Sequence, residues 1–149
     1  MLVKDVCTMD VVCCDRHMRV SEAARLMRHH HVGDIVVIDD PTEGRTPIGL
    51  VTDRDLVLDV LGTGLDPGTT EMASLVHRTL VVAHESEDTA QALARMREHG
   101  VRRIPVVNNQ GAVVGIVTLD DLLRLLVTDA NALLEVITKG QHQEHRTRR

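Results

Sequence analysis

The sequence predicts an α+β (mixed α/β) fold made of two β-α-β-β-α repeats packed about a pseudo-twofold axis. The first supporting observation is a repeated stretch: Gly-Leu-Val-Thr-Asp-Arg-Asp from Gly49 to Asp55 returns 66 residues later as Gly-Ile-Val-Thr-Leu-Asp-Asp, ending at Asp121. The second is a helical pattern around Met27 that returns 69 residues later at Met96. A single repeat of roughly 60 residues would leave an apolar sheet face open, so burial of that face requires the second copy.

Composition narrows the functions open to this chain. Its 149 residues are 43% hydrophobic and 26% charged, as in ordinary globular domains. The chain has no Trp, Tyr or Phe, so its core must be aliphatic, and it lacks the aromatic platforms that stack on single-stranded nucleic acids. The formal net charge of −5 argues against binding to a phosphate backbone, so no nucleic-acid partner is expected.

The sequence also predicts a cytoplasmic protein that does not enter a membrane. Residues 1–5 lack the basic and apolar regions of a signal peptide, and no apolar run approaches the ~18 residues of a membrane span. Cys7, Cys13 and Cys14 are odd in number and two of them are adjacent. This pattern is not that of a disulfide framework and favours a reducing compartment.

The first repeat is expected to begin with a short apolar strand at residues 11–14. A helix should then start at Ser21, whose hydroxyl would cap it, and end at Gly33. Residues 35–38 are apolar throughout and predict a strand that is buried on both faces. Residues 47–51 predict the strand that pairs with it as a hairpin.

The second repeat follows the same order. Residues 80–83 match the first strand, and residues 90–96 match the first helix. Asp88, with a glutamine three residues later, predicts a capping box at the start of that helix. Two strands should follow at residues 101–107 and 113–117, joined by a shorter turn than in the first repeat. The shorter turn accounts for the change in repeat offset from 69 to 66 residues.

The last helix is expected to continue past the second repeat, stop at Gly140 and lead into a mobile basic tail at residues 141–149. It is too apolar for a solvent-facing helix, which predicts a homodimer through the helices that follow the two repeated stretches. Its apolar residues are Leu122, Leu123, Leu125, Leu126, Leu133, Leu134, Val136 and Ile137. The predicted segments are 1–64 for the first repeat, 65–69 for a linker, 70–128 for the second repeat, and 129–149 for the helix extension and tail.

Each repeated stretch predicts a corner where a strand ends and a helix begins. Thr52 and Asp55 at the first corner match Thr118 and Asp121 at the second. In one interpretation these pairs are only helix caps, with Thr at the N-cap and Asp three residues later. In the other, each helix N-terminus beside a glycine-containing strand end forms a site for a phosphate or another polar ligand.

The corners and the repeat order resemble a tandem pair of CBS domains, also called a Bateman module, over about residues 1–128. The resemblance also rests on the two Met-containing helices and on Ile104-Pro105-Val106-Val107 before the second hairpin. It implies a regulatory protein, not an enzyme, that binds AMP, ADP or ATP as an effector and needs no cofactor. NAD and S-adenosylmethionine are the weaker alternatives. The ligand would shift the population of conformations and so signal to a protein partner that the sequence does not name.

The resemblance also assigns roles to individual residues. In such pairs the corner Thr and Asp contact the ribose of an adenosine nucleotide, aliphatic side chains hold the adenine, and arginines attract the phosphates. Arg124, one turn after the second corner, belongs with these arginines. The residues expected to bind the ligand are Thr52, Arg54, Asp55, Thr118, Asp121, Arg102, Arg103, Val12 and Val81.

The two sites are not expected to be equivalent. Asp34 stands in the first repeat where the second has Arg103, and Asp53-Arg54 stands where the second has Leu119-Asp120. A carboxylate that faces the ligand would repel a phosphate. We therefore expect different affinities, with one site empty or bound to a non-phosphorylated adenosyl group.

Other interpretations remain open. The chain could be a structural module whose corners bind no ligand, or a redox-responsive protein that acts through Cys7 and Cys13. A metal site at the three consecutive histidines, residues 29–31, is disfavoured because neighbouring helical residues point in different directions. The spacing of residues supports neither a catalytic triad nor a Walker-type loop.

Overall fold

The computed structural model describes residues 1–147. Strands β1 to β6 are Cys13–Asp15, Asp34–Ile38, Pro47–Thr52, Ala83–His84, Arg103–Val107 and Val113–Thr118. Helices α1 to α4 are Val20–His30, Asp53–Asp55, Thr89–His99 and Leu119–Thr147, and α2 continues as a π-helical segment at Leu56–Leu61. Short 3-10 helices at Val3–Asp5 and Met72–Leu75 precede the two repeats.

The strands form two equivalent three-stranded sheets, which confirms the α+β fold with two matching repeats. In the first sheet β1 pairs in parallel with β2, and β2 pairs antiparallel with β3. In the second sheet β4, β5 and β6 pair in the same way. The turn from β2 to β3 spans residues 39–46, and the turn from β5 to β6 spans only residues 108–112. The prediction of a shorter second turn is therefore confirmed.

The two faces of each sheet pack against different partners. In β2, Ile35 and Val37 belong to the core of the first repeat, whereas Val36 and Ile38 form a separate cluster with Val113 of β6. That cluster joins the two repeats through their sheets. All five side chains are buried, so the prediction that this strand is buried on both faces is confirmed.

The segment that precedes each repeat packs in the core of the other repeat. Val3 is fully buried in the core of the second repeat, and Met72 is fully buried in the core of the first. Thr8 and Ile116 of β6 exchange two backbone hydrogen bonds of 2.9 Å. Residues 1–8 therefore complete the second repeat, although they precede the first repeat in the chain.

This exchange explains the glycine of each repeated stretch. A Cβ on Gly49 would lie 2.5 Å from Cγ2 of Val76, and a Cβ on Gly115 would lie 2.8 Å from Sγ of Cys7. Both distances are shorter than side-chain atoms tolerate. Each glycine is thus required because a segment of the other repeat crosses directly over the strand.

Helix α1 begins differently from the prediction. Its N-cap is Arg19, which makes no side-chain capping hydrogen bond. Ser21 is not the cap; it lies inside the first turn, where its N–H donates to the carbonyl of Pro67 at 2.9 Å. That carbonyl belongs to the linker, so a tertiary contact takes the place of the local cap. In α3 the capping box of Asp88 and Gln91 is present as predicted.

Helix α1 also ends earlier than predicted. His31, not Gly33, is the C-cap, and it adopts the left-handed conformation with φ 54° and ψ 42°. Gly100 holds the same position after α3, with φ 64°. Left-handed helix ends usually carry glycine, and this preference is the reason that the sequence predicts a stop at Gly33. The 69-residue repeat offset equates His31 with Gly100 and is the signal that identifies the correct position.

The C-terminal helix is longer than predicted. Helix α4 runs through Gly140 to Thr147, so the predicted stop at Gly140 and the predicted tail from residue 141 are wrong. A glycine inside a helix costs only about 1 kcal/mol relative to alanine, and Gly140 is followed by the helix formers Gln141, Gln143 and Glu144. Residues 148 and 149 of the predicted tail lie outside the described residues.

Helix α4 leaves the second repeat with its apolar side chains exposed. Leu122 packs in the core of that repeat, whereas Leu133, Leu134, Val136 and Ile137 are each more than half exposed. The predicted excess of apolar surface is confirmed, and the homodimer inferred from it stays a prediction. Over residues 1–147, every helix is too short or too polar to cross a bilayer.

Candidate functional site

Both corners form the capping box that one interpretation of the sequence predicts. The N–H of Thr52 donates to Oδ2 of Asp55 at 2.8 Å, and the N–H of Asp55 donates to Oγ1 of Thr52 at 3.2 Å. Thr118 and Asp121 repeat these bonds at 2.8 and 3.2 Å. All four residues are partly exposed. The same side chains therefore cap their helices and remain accessible to a ligand.

The two corner threonines differ in the use of their hydroxyl groups. The hydroxyl of Thr118 donates to Oδ2 of Asp121 at 2.8 Å. Within residues 1–147, the hydroxyl of Thr52 donates to no protein atom. The Thr52 hydroxyl hydrogen is thus available to a ligand, whereas that of Thr118 must first leave Asp121.

An ion pair between Asp34 and Arg103 lies between the two corners. Nη1 of Arg103 donates to Oδ2 of Asp34. Asp34 stands opposite Thr52 in the β2–β3 ladder, and Arg103 stands opposite Thr118 in the β5–β6 ladder. Residues that face each other across an antiparallel pair project from the same side of the sheet. Each charged side chain is therefore a neighbour of its corner threonine, and the ion pair connects the two.

Positions 34 and 103 are equivalent in the two repeats but carry different residues, and the structure shows that these two residues form an ion pair with each other. Equivalent residues close to a pseudo-twofold axis meet each other across it, which explains why the mismatch is an aspartate opposite an arginine. The side chains of Asp34 and Arg103 are 19% and 37% exposed. The guanidinium predicted to attract a ligand phosphate thus already has a carboxylate partner inside the chain.

The other predicted arginines lie at the edges of the corners. Arg54 and Arg102 are exposed, as is Arg124. Backbone contacts fix the positions beside them: the N–H of Leu119 donates to the carbonyl of Arg102 at 2.8 Å, and the N–H of Asp53 makes the equivalent bond at 3.0 Å. The structure therefore brings Arg103 between the corners and leaves the other arginines facing solvent.

The predicted aliphatic residues lie just before the first strand of each repeat. Val12 precedes β1 and packs against the core of the first repeat. Val81 precedes β4 and packs against the core of the second. The strands themselves begin two and three residues later than the apolar pattern predicts, because ladder pairing starts only at Cys13 and Ala83. Both valines are partly exposed, so they offer apolar surface beside the core.

Two of the three cysteines, Cys7 and Cys14, have a raised pKa. All three are free, and burial raises the pKa of Cys14 to about 12. Burial also raises the pKa of Cys7, and the nearby carboxylates of Asp121, Glu85 and Asp5 add to this shift. Reactive cysteines are those with a lowered pKa. The environment of Cys7 therefore weakens the redox interpretation.

Two other features lie apart from the corners. The rings of His29 and His30 meet edge to face with centroids 5.0 Å apart, and residues 1–147 contain no group of three His, Cys, Asp or Glu side chains arranged to hold a metal. A shallow groove on α4 is lined by one helix alone, so it offers no enclosing walls for a ligand. Its lining residues are Asn131, Leu134, Glu135, Thr138 and Lys139.

Sequence comparison identifies the repeats. The family model of the CBS domain matches residues 3–62 and 72–128. Hypoxic response protein 1 of Mycobacterium tuberculosis is 33% identical over 123 residues, which are 83% of this chain and 83% of that protein. Uncharacterized protein MK0525 of Methanopyrus kandleri is 31% identical over 83% of this chain. The match spans only 61% of the Methanopyrus protein, so this chain covers less than two thirds of that relative.

Comparison with solved structures agrees. A crystal structure of hypoxic response protein I with two coordinated zinc ions has a TM-score of 0.74 at 32% identity and covers 83% of this chain and 98% of that one. The CBS domain pair of protein MJ0100, in complex with 5-methylthioadenosine and S-adenosyl-L-methionine, has a TM-score of 0.73 at 25% identity and covers 87% and 98%. The two family matches, the duplicated sheets and the paired Thr–Asp corners lead to one conclusion: this chain belongs to the CBS domain family and carries two CBS domains in tandem.

Proposed function

We propose that the chain is a regulatory sensor, not an enzyme, which binds an adenosine-containing ligand in the cleft between its two CBS domains. The observation that carries this proposal is the position of the two Thr–Asp corners on either side of the Asp34–Arg103 ion pair. A ligand between the corners meets two helix N-termini, each with a partly exposed carboxylate. The related CBS pair bound to two adenosyl compounds supports the ligand class.

Each part of the ligand has a proposed partner. Oδ1 of Asp55 and Oδ1 of Asp121 make no hydrogen bond to the described part of the chain, so each carboxylate can still accept from a ribose hydroxyl. The partly exposed Val12 and Val81 would hold the adenine. Candidate ligands are AMP, ADP, ATP, NAD and S-adenosylmethionine. The residues proposed to bind them are Thr52, Arg54, Asp55, Thr118, Asp121, Arg102, Arg103, Val12 and Val81.

The proposed mechanism is a shift between arrangements of the two domains. A ligand that contacts both corners would favour the arrangement in which both sets of contacts form. The segment that precedes each repeat packs on the other repeat, and the cluster between the two sheets also connects the domains. Movement at the corners would therefore reach α4. We propose that this change is passed to a cytoplasmic protein partner.

Calorimetry on single corner variants tests this proposal. Purified protein is titrated with AMP, ATP, NAD, 5′-methylthioadenosine and S-adenosylmethionine, and so are Asp55→Asn and Asp121→Asn. At least one variant should lose about tenfold in affinity, as expected for a lost charge-assisted hydrogen bond. Asp129→Asn is the matched control, because Asp129 is exposed on α4. Unchanged binding in both corner variants would contradict the ribose assignment.

The absence of aromatic residues provides a direct check for co-purified ligand. The protein has no Trp or Tyr, so bound adenine should dominate the ultraviolet spectrum near 260 nm. A flat spectrum, together with an unchanged melting temperature in the presence of all five compounds, would contradict ligand binding.

The exposed surface of α4 supports a homodimer as part of the same proposal. Its exposed apolar side chains lie close together along the helix, and contiguous exposed apolar surface commonly marks a protein interface. The double variant Leu133→Glu/Ile137→Glu should sediment as a monomer, while Thr138→Glu, on the same exposed stretch of α4, should leave the dimer intact. Dimers that persist in the double variant would place the interface elsewhere.

A purely structural module is the second candidate. The observation that favours it is that both capping boxes are closed within the chain, so Thr52, Asp55, Thr118 and Asp121 have a role without any ligand. In that case the only effect of Asp55→Asn and Asp121→Asn would be a loss of stability. Titration with an adenosyl compound would give no heat of binding, and no such compound would raise the melting temperature.

A further inference from the structure

The arginine that lies between the corners is already neutralised. Arg103 donates to the carboxylate of Asp34, and Asp34 stands directly opposite Thr52 in the β2–β3 ladder. Both side chains are more than half buried, so water screens their interaction only partly. A ligand phosphate placed between the corners would meet Asp34 where it needs an unpaired cation.

The remaining charges at the corners do not offset this effect. Among the charged side chains of the corners and the ion pair that are partly buried, carboxylates outnumber guanidinium groups. The partly buried groups are the carboxylates of Asp34, Asp55 and Asp121 and the guanidinium of Arg103; the exposed groups are Asp53, Asp120, Arg54, Arg102 and Arg124. Like charges repel more strongly near a protein surface than in bulk water. The partly buried charged side chains around the two corners are therefore unfavourable for an anion.

We propose that the Asp34–Arg103 ion pair makes the cleft select adenosyl ligands whose 5′ substituent is neutral or cationic, such as a thioether or a sulfonium, over those with a 5′ phosphate. This inference rests on the proposed function, because it concerns the same cleft. A phosphate must either displace Asp34 from Arg103 or remain beside its carboxylate, and both are unfavourable. A thioether requires neither, and a sulfonium is attracted by the carboxylates.

The test compares two ligands that differ only at the 5′ position. Calorimetry with 5′-methylthioadenosine and AMP should show that the native protein binds 5′-methylthioadenosine at least about tenfold more tightly. Asp34→Asn keeps the size of the side chain and removes its charge, so the ratio should fall about tenfold, mainly through tighter AMP binding. Asp39→Asn is the matched control: Asp39 follows the other end of β2 and pairs with Arg16 at the surface, so its ratio should equal that of the native protein.

A second variant predicts the opposite change. Arg103→Gln leaves the carboxylate of Asp34 unpaired, so AMP binding should weaken further and the ratio should rise. Equal binding of AMP and 5′-methylthioadenosine to the native protein, or an unchanged ratio in both Asp34→Asn and Arg103→Gln, would overturn the inference while leaving an adenosyl site in place. If neither compound binds to the native protein or to either variant, the selectivity inference fails; if ATP, NAD and S-adenosylmethionine do not bind either, the proposed function fails with it.

Discussion

The two corners share a backbone geometry and differ in chemistry. Both close the same capping box with the same 2.8 and 3.2 Å hydrogen bonds. The residue after the threonine is the exposed Asp53 at the first corner and, at the second, Leu119, which packs against the core. The comparison shows that the cap preserves the turn, while the positions that it does not use are free to diverge.

The largest expected effect tests whether the two repeats tolerate the same change at their glycines. Gly49→Ala and Gly115→Ala should each lower the free energy of unfolding by about 2 kcal/mol or more, because the new methyl group overlaps a crossing segment. Urea unfolding measures the loss. Val76→Ala should rescue Gly49→Ala, whose close contacts are all with that side chain.

Rescue should be incomplete in the second repeat. The Cβ of Gly115→Ala would also lie 3.0 Å from the backbone carbonyl of Thr8, and that contact persists when Cys7→Ala removes the thiol. Equal rescue of both glycine variants would show that the crossing backbone is as adjustable as a side chain, contrary to the comparison.

The next effect is a difference between the repeats in how their stability depends on pH. Cys14 is buried in the core of the first repeat, and Ala83 holds the equivalent place in the second. The unfolded thiol loses its proton above about pH 9, whereas the folded one, with its pKa raised to about 12, keeps it. The unfolded state therefore binds fewer protons in this window, and stability falls as pH rises from 9 towards 12 by up to about 1.4 kcal/mol per pH unit.

Cys14→Ala should remove this part of the pH dependence. Urea unfolding at pH 8 and pH 10 should show a smaller loss in the variant than in the native protein, and Cys7→Ala should change the loss less. The chain suits this test because it has no tyrosine and its only lysines are Lys4 and Lys139. A loss of the same size in Cys14→Ala would mean that another group controls alkaline stability.

The smallest effect concerns the ends of the equivalent helices α1 and α3. His31 and Gly100 have the same left-handed conformation, which is costly for a residue with a Cβ. His31→Gly should stabilise the protein by about 1 kcal/mol, and Gly100→His should destabilise it by a similar amount. Melting temperatures measure both. The essential result is that the two variants shift the melting temperature in opposite directions. A lower melting temperature in both variants would show that the His31 side chain has a stabilising role of its own.

Local patterns in the sequence predicted much of the fold correctly. The capping boxes at Thr52, Asp88 and Thr118 depend on residues three positions apart, so the sequence is sufficient to identify them. The repeat offset likewise predicted the two equivalent sheets and the shorter second turn. Local rules failed at Ser21 and Gly140, where the tertiary contact with the linker and the strength of a long helix outweigh a single residue's preference.

The candidate site was predicted in part. The repeated stretches identified the corner Thr and Asp residues, and the resemblance to CBS pairs assigned them a role that remains to be tested. Comparison of the two repeats showed that Asp34 and Arg103 occupy equivalent positions with different residues, but it did not indicate that the two form an ion pair. It did not indicate that Gly49 and Gly115 serve packing, because the residues they accommodate belong to the opposite repeat.

The sequence by itself determined the order of the elements, the duplication and the three capping boxes, because these depend on neighbours along the chain and on a constant offset. The tertiary structure alone decided which core the segments around Val3 and Met72 complete. It also decided that Asp34 meets Arg103, 69 residues away. Both are contacts across the pseudo-twofold axis, and residues distant in the chain become neighbours there only when the two repeats pack together.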